Sequence, residues 1–227
     1  MLRMIGGVPA VLILVLALAA PAPAQENIEP QQIVDDASTA FGNLVADPNL
    51  SWFRDNLKNA KGVMIVPQLV KGGFFLGGSG GSGVVLAQDG ARDGWSDPAF
   101  YTIGSVSFGL QFGGEVSEVA FLVMTEKGMD SMLETSFKLG GDVSIAAGPV
   151  GAGARAATAD ILAFSRSKGL FGGISLEGSI IGPQNEWNGA YYDTPGVQPI
   201  DILINDKVSN PGADPLRQAV AKAAAGD

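Results

Sequence analysis

Between Ile28 and Val45 the apolar residues Ile28, Ile33, Val34, Ala37, Phe41, Leu44 and Val45 recur at three- and four-residue spacing, with Glu26, Glu29, Asp35 and Asp36 mostly between them. That period predicts an amphipathic helix. Asp47-Pro48 supplies an N-cap and a first-turn proline for a second, short helix carrying Leu50, Phe53, Leu57 and Ala60, which Gly62 ends. From Val63 the period becomes that of strands. Residues 63–66 read as a buried strand stopped by Pro67, and residues 84–86 as another before an Asp89-Gly90 turn. Residues 105–111 alternate, which assigns Val106, Phe108 and Leu110 to one apolar face. Residues 119–124 form a fully buried strand. Thr125 caps a helix carrying Met129, Met132, Leu133 and Phe137, closed by Gly140-Gly141. Val143, Ile145 and Ala147 alternate again, and residues 161–164, 172–181 and 201–204 complete the predicted strands. Residues 211–227 read as a loose tail with a weak Ala-rich helix. The expected fold class is α+β: a mostly antiparallel, Gly-rich, twisted or barrel-like sheet, with N-terminal helices and one mid-chain helix packed on it.

The start of the chain follows a different grammar. Arg3 is the only charge before Glu26, residues 11–20 are apolar throughout, and Ala22-Pro23-Ala24 fits the small-residue rule for cleavage. Residues 1–24 are therefore expected to be a signal peptide cut after Ala24, with an uncleaved anchor as the runner-up. No Cys follows, so a lipid anchor on cysteine is excluded. The expected organisation is signal peptide 1–24, helical region 25–62, β-rich core 63–208 and tail 209–227, in a periplasmic or secreted protein.

Composition narrows the chemistry. The 227 residues include no His and no Cys, which removes the usual imidazole base, thiolate zinc sites, disulfides and a cysteine nucleophile. Lys and Arg number 14 against 23 Asp and Glu, a net charge of −9 that argues against nucleic acid as a partner. Three motif matches dissolve on inspection. Gly77-Gly78-Ser79-Gly80-Gly81 fits the G-x-S-x-G nucleophile elbow, which needs a His that is not there. Gly78-x-Gly80-x-x-Gly83 fits a dinucleotide fingerprint, but Val84-Val85-Leu86 continues it as a strand rather than a helix. Ser165-Arg166-Ser167-Lys168 fits S-x-x-K without its companion elements, on a turn that keeps the lysine solvated. Asp130 with Glu134, and Glu115 with Glu118, read as solvated carboxylates. No catalytic residue, metal ligand or cofactor is expected.

Two glycine-rich bends carry more information. Lys71 stands beside Phe74 and Phe75; Arg166 and Lys168 stand beside Leu170 and Phe171. Either the rings fold into the core, or the bends protrude and set aromatic residues at a bilayer interface with the cations on lipid phosphates. The stretches around these bends echo one another, consistent with a duplication or with the shared grammar of Gly-rich hairpins.

The same residues carry a family resemblance. Ala60-Lys61-Gly62-Val63, Pro67 with Lys71-Gly72-Gly73-Phe74, the glycines of 77–83, Trp95-Ser96-x-Pro98-Ala99-Phe100-Tyr101, Gly109-Leu110-Gln111, Leu139-Gly140 with residues 147–151, and Phe164-Ser165-Arg166-Ser167-Lys168-Gly169-Leu170-Phe171 through Gly178 occur in an order that resembles the SYLF domain family. The resemblance spans about residues 35–205. It implies lipid binding without catalysis and, in some eukaryotic members, actin bundling. Residues 25–47 hold no Lys or Arg, unlike the basic starting helix expected of eukaryotic members. The sequence therefore points to a non-enzymatic phospholipid-binding protein of the bacterial cell envelope, using Lys71, Phe74, Phe75, Arg166, Lys168, Leu170 and Phe171. Actin is not expected as a partner of such an exported chain. The alternatives are a barrel groove for one apolar ligand, or a scaffold that binds a protein through its acidic first helix.

Overall fold

A computed structural model describes residues 29–73, 76–89, 94–108, 113–147, 158–167 and 176–226. The signal segment lies outside them. The predicted first helix is α1 (Pro30–Ala46), opened by proline in its first turn and burying Ile33, Val34, Ala37, Ala40, Phe41 and Leu44 along one stripe. Asp47 ends it and starts the next element, its carboxylate accepting from the Asn49 amide across a 3-10 turn. The chain then enters α2 (Ser51–Leu57), which buries Phe53 and Leu57.

The strands are β1 (Gly62–Gly73), β2 (Leu76–Asp89), β3 (Gly94–Trp95), β4 (Ala99–Phe108) and β5 (Gly113–Val123). After α3 (Glu126–Met132) come β6 (Phe137–Lys138), β7 (Ile145–Ala147), β8 (Ile161–Ser167) and β9 (Ile180–Pro183). They form a nine-stranded sheet in the order β6-β9-β4-β2-β1-β5-β8-β7, with β3 beside β2. Every named pair is antiparallel except β7 with β8. Leu139, just after β6, bridges Val143, just before β7, so the two edges meet and the sheet curls into a half-barrel. The expected α+β class, mostly antiparallel and barrel-like, is what the chain adopts.

Register decides which residues share a face. Ile65 lies opposite Val84 and Ala120, Val84 opposite Phe100, and Ala120 opposite Phe164. On this face Phe164 packs against Trp52 and Phe53 of α2 at ring-centroid distances of 5.7 and 5.3 Å. Phe100 packs against Tyr191 of α4 (Asn185–Tyr191) at 5.1 Å. Tyr101 points to the other face, where its hydroxyl donates to the Met132 carbonyl at the end of α3. Burial pushes the Tyr101 phenol well above its ordinary range. The middle of the sheet is thus sandwiched, which is why residues 63–66 and 119–123 are apolar without alternation.

Several expectations change. Residues predicted as a strand near 201–204 belong to the helix α5 (Pro199–Leu203), because Pro199 opens it and Gln198 and Asp201 cap it reciprocally. The predicted mid-chain helix stops at Met132, and Phe137 sits in β6. Within 172–181, residues 172–175 lie outside the described residues and the strand begins at Ile180. The tail is not loose: α6 (Asp214–Ala225) buries Leu216 and Val220. Its Arg217 donates from Nε to the Trp95 carbonyl at 3.0 Å and approaches the buried Asp97 at 3.9 Å.

Asp160 locks α3 to the start of β8. Its carboxylate accepts from Thr125 Oγ1 at 2.8 Å, Ser144 N at 2.9 Å and Ser144 Oγ at 2.7 Å, with Lys127 at 3.7 Å. Desolvation opposes ionisation here, but these hydrogen bonds and the nearby charge outweigh it and hold the carboxyl below its usual range. A depressed carboxylate contributes stability above its unfolded pKa of about 4, and that contribution vanishes as pH falls through the folded value. Melting temperatures measured from pH 7 downward should show Asp160→Asn less stable than wild type near neutrality, with the gap narrowing below about pH 4. A gap independent of pH would remove this role.

Candidate functional site

Pro67, which has no amide hydrogen to donate, sits in a one-residue bulge where β1 shifts register against both neighbours. Beyond it, β1, β2, β4 and β5 run on past the sandwiched core towards a common end. One row across this extension reads Val116, Val70, Gly80, Gly104 and Ile180; the next reads Gly114, Gly72, Gly78 and Val106. Alternation puts both rows on one face. Val70 is 52%, Val106 76%, Val116 46% and Ile180 55% exposed. They are four of the six exposed large apolar residues among those described, and only glycines separate them on this face. The alternation around Val106 was legible, and Val106 itself is solvent-exposed.

The opposite face of the extension is polar. There Lys71 stands between Glu115 and Ser79, and Ser79 Oγ lies 2.7 Å from Ser105 Oγ. Among the bend residues singled out in the sequence, Lys71 and Arg166 are described. Phe74, Phe75, Lys168, Leu170 and Phe171 lie outside the described residues. β1 and β8 are both antiparallel to β5, so they run in the same direction. Gly73 and Ser167, after which the two bends begin, are thus both directed towards the same end of the sheet. Arg166 is otherwise engaged: Nη1 donates to Glu118 Oε2 at 3.1 Å and Nε approaches Asp47 Oδ2 at 3.7 Å. Asn43 Nδ2 donates to the other Glu118 oxygen at 2.8 Å. The guanidinium ties the end of α1 to the sheet and shares its charge with two carboxylates.

A groove of about 920 Å³ opens where the amino-terminal half of α1 crosses the bulge, with Ile33, Pro67, Val70 and Gly80 in its wall. Neither this groove nor the bare valine face could be found from local pattern, because both depend on cross-strand register. Among the described residues, no group of three or more acidic side chains is arranged to hold a metal ion.

Comparison with known proteins gives the arrangement its context. Residues 104–223 match the family Ysc84, described as Las17-binding protein actin regulator. Protein YSC84 of Saccharomyces cerevisiae is 37% identical over 169 residues, covering 70% of this chain and 35% of the relative. LAS seventeen-binding protein 3 of the same yeast is 39% identical over 147 residues, 61% of this chain and 31% of the relative. SH3 domain-containing YSC84-like protein 1 of Homo sapiens is 32% identical over 157 residues, 66% of this chain and 45% of the relative. The chain thus spans between about a third and just under half of these relatives. No solved structure matches it. The expectation that set actin aside is overturned, because the matched family is itself described by actin regulation. With more than half of its residues matched by the family, the chain belongs to the Ysc84 (SYLF) family.

Proposed function

We propose that the chain is a non-enzymatic docking module that sets the free end of its sheet against a phospholipid surface. The observation that carries this reading is the exposed face bearing Val70, Val106, Val116 and Ile180 over a glycine floor. Isolated apolar residues on a surface need no explanation, but a contiguous set does. Lys71 stands on the opposite face of the same extension, and the bends bearing Phe74, Phe75, Lys168, Leu170 and Phe171 belong to this reading as the interfacial contacts. Each lysine near an anionic surface contributes about 1 kcal/mol. Export after cleavage at Ala24, to the periplasm or beyond, is part of the same proposal. A second reading, an actin-regulatory protein as the partner, is favoured by the description of the family and by relatives named for binding Las17.

Co-sedimentation with phosphatidylglycerol-containing vesicles tests the first reading. Wild type should pellet with vesicles, less so in high salt and less with Lys71→Glu combined with Lys168→Glu. Val106→Asp, on a side chain already 76% exposed, should weaken binding by about tenfold without lowering the melting temperature. Vesicles of every composition left unbound, or full binding by Val106→Asp, would overturn it. Pelleting with filamentous actin but not with vesicles would favour the second reading.

A further inference from the structure

The groove beside α1 differs in chemistry from the valine face it adjoins. Its rim carries Glu29, Asp35 and Asp36, and among the described residues that line it none is Lys or Arg. Glutamines on the same helix orient two of these carboxylates: Gln31 Nε2 donates to Asp35 Oδ1 at 2.8 Å and Gln32 Nε2 to Asp36 Oδ1 at 2.9 Å. Such a rim repels an anionic headgroup.

The floor has room that the fold does not use. A Cβ added at Gly80 would meet only the Ile103 carbonyl oxygen, at 3.9 Å, and one at neighbouring Gly72 would meet nothing within 4 Å. Neither glycine is there to avoid a clash. Glycine inside a strand costs stability relative to a residue with a side chain, and it recurs where another chain approaches the backbone closely.

We propose that this groove docks a Lys- or Arg-bearing, otherwise apolar segment of a partner protein. Its cations meet Asp35, Asp36 and Glu29 at the rim. Its apolar side chains rest on Ile33 and Val70, with its backbone drawn close over Gly80. Complementary charge of this kind sets partner choice and association rate, and it is screened by salt. Val70 and Gly80 belong to both this groove and the face proposed for lipid, whereas the carboxylates of α1 belong to the groove alone and distinguish the two.

The test is fluorescence anisotropy of the whole chain with a short labelled peptide that alternates Lys and Val. Peptides alternating Glu with Val and Lys with Ser are the controls. The Lys–Val peptide should bind, and raising salt from about 0.05 to about 0.5 M should weaken it severalfold. Gly80→Leu, which fills the floor, and Asp35→Asn with Asp36→Asn should each weaken it at least tenfold. No binding of the Lys–Val peptide, equal binding of either control, or unchanged affinity in either variant would overturn the proposal. If Gly80→Leu melts early, the paired carboxamide variant decides, because its substitutions lie on the outer side of α1. Vesicle sedimentation separates the two ideas. The Asp35→Asn, Asp36→Asn pair, whose positions lie outside the sheet face proposed for lipid, should still pellet with vesicles while losing the peptide; a loss of both would assign the groove to lipid and overturn its role in binding protein.

Discussion

Replacing Gly83 with alanine should abolish stable folding or lower stability by more than about 3 kcal/mol, beyond the usual cost of overpacking. The added Cβ would stand 2.1 Å from the Ile65 carbonyl oxygen, 2.9 Å from its carbon and 3.0 Å from Val66 Cα. All three are main-chain atoms of β1, which is hydrogen-bonded to β2 on one side and β5 on the other. They cannot yield without opening the centre of the sheet. Gly104→Ala is the matched control: its Cβ would come no nearer than 3.8 Å to any atom, and the variant should melt close to wild type. Urea or thermal unfolding of the pair checks the claim. A Gly83→Ala protein melting within a few degrees of wild type would show that the close approach at the bulge is not what requires glycine there.

The second large effect is expected at Phe164. Its ring is buried between β8 and α2, at 5.3 Å from Phe53 and 5.7 Å from Trp52. Phe53 in turn meets Phe41 of α1 at 5.9 Å. Phe164→Ala removes the ring that joins both amino-terminal helices to the sheet, and should cost about 3–5 kcal/mol. Against a total stability of roughly 5–15 kcal/mol, much of the margin disappears. Phe164→Leu, which keeps most of the volume, should cost markedly less. Denaturant midpoints measure both, and a loss below about 1 kcal/mol in the alanine variant would mean that the helices are held mainly by other contacts.

What the sequence disclosed depended on the range of the interactions involved. The stripe of Ile33, Val34, Ala37, Phe41 and Leu44 was readable because a helix needs only its own period to show its buried side. Thr125 was readable as a cap because the amide its hydroxyl accepts from, that of Gly128, is only three residues on. Ile200, Ile202 and Ile204 alternate like a strand, yet the cap at Gln198 and Asp201 and the proline between them impose a helix. The carboxyl-terminal helix looked weak because it is alanine-rich; Leu216, Val220 and the reach of Arg217 to Trp95 hold it, and the last of these spans 122 residues of sequence. At the candidate site the failure is more instructive. Alternation shows which residues share a face but not which face meets water. Only the pairing of Gly78 with Val106, and of Val70 with Val116, turns scattered valines and glycines into one bare surface.

The meeting of Leu139 with Val143 bears on how this protein stays dispersed. Long strands with open flanks invite edge-to-edge pairing with another molecule. Here the outermost strands are two and three residues long and are stitched to each other. At these two strands a neighbouring molecule finds little backbone to extend; among the described residues the longer open flanks are those of β4 beyond Gly104 and of β5 before Ser117.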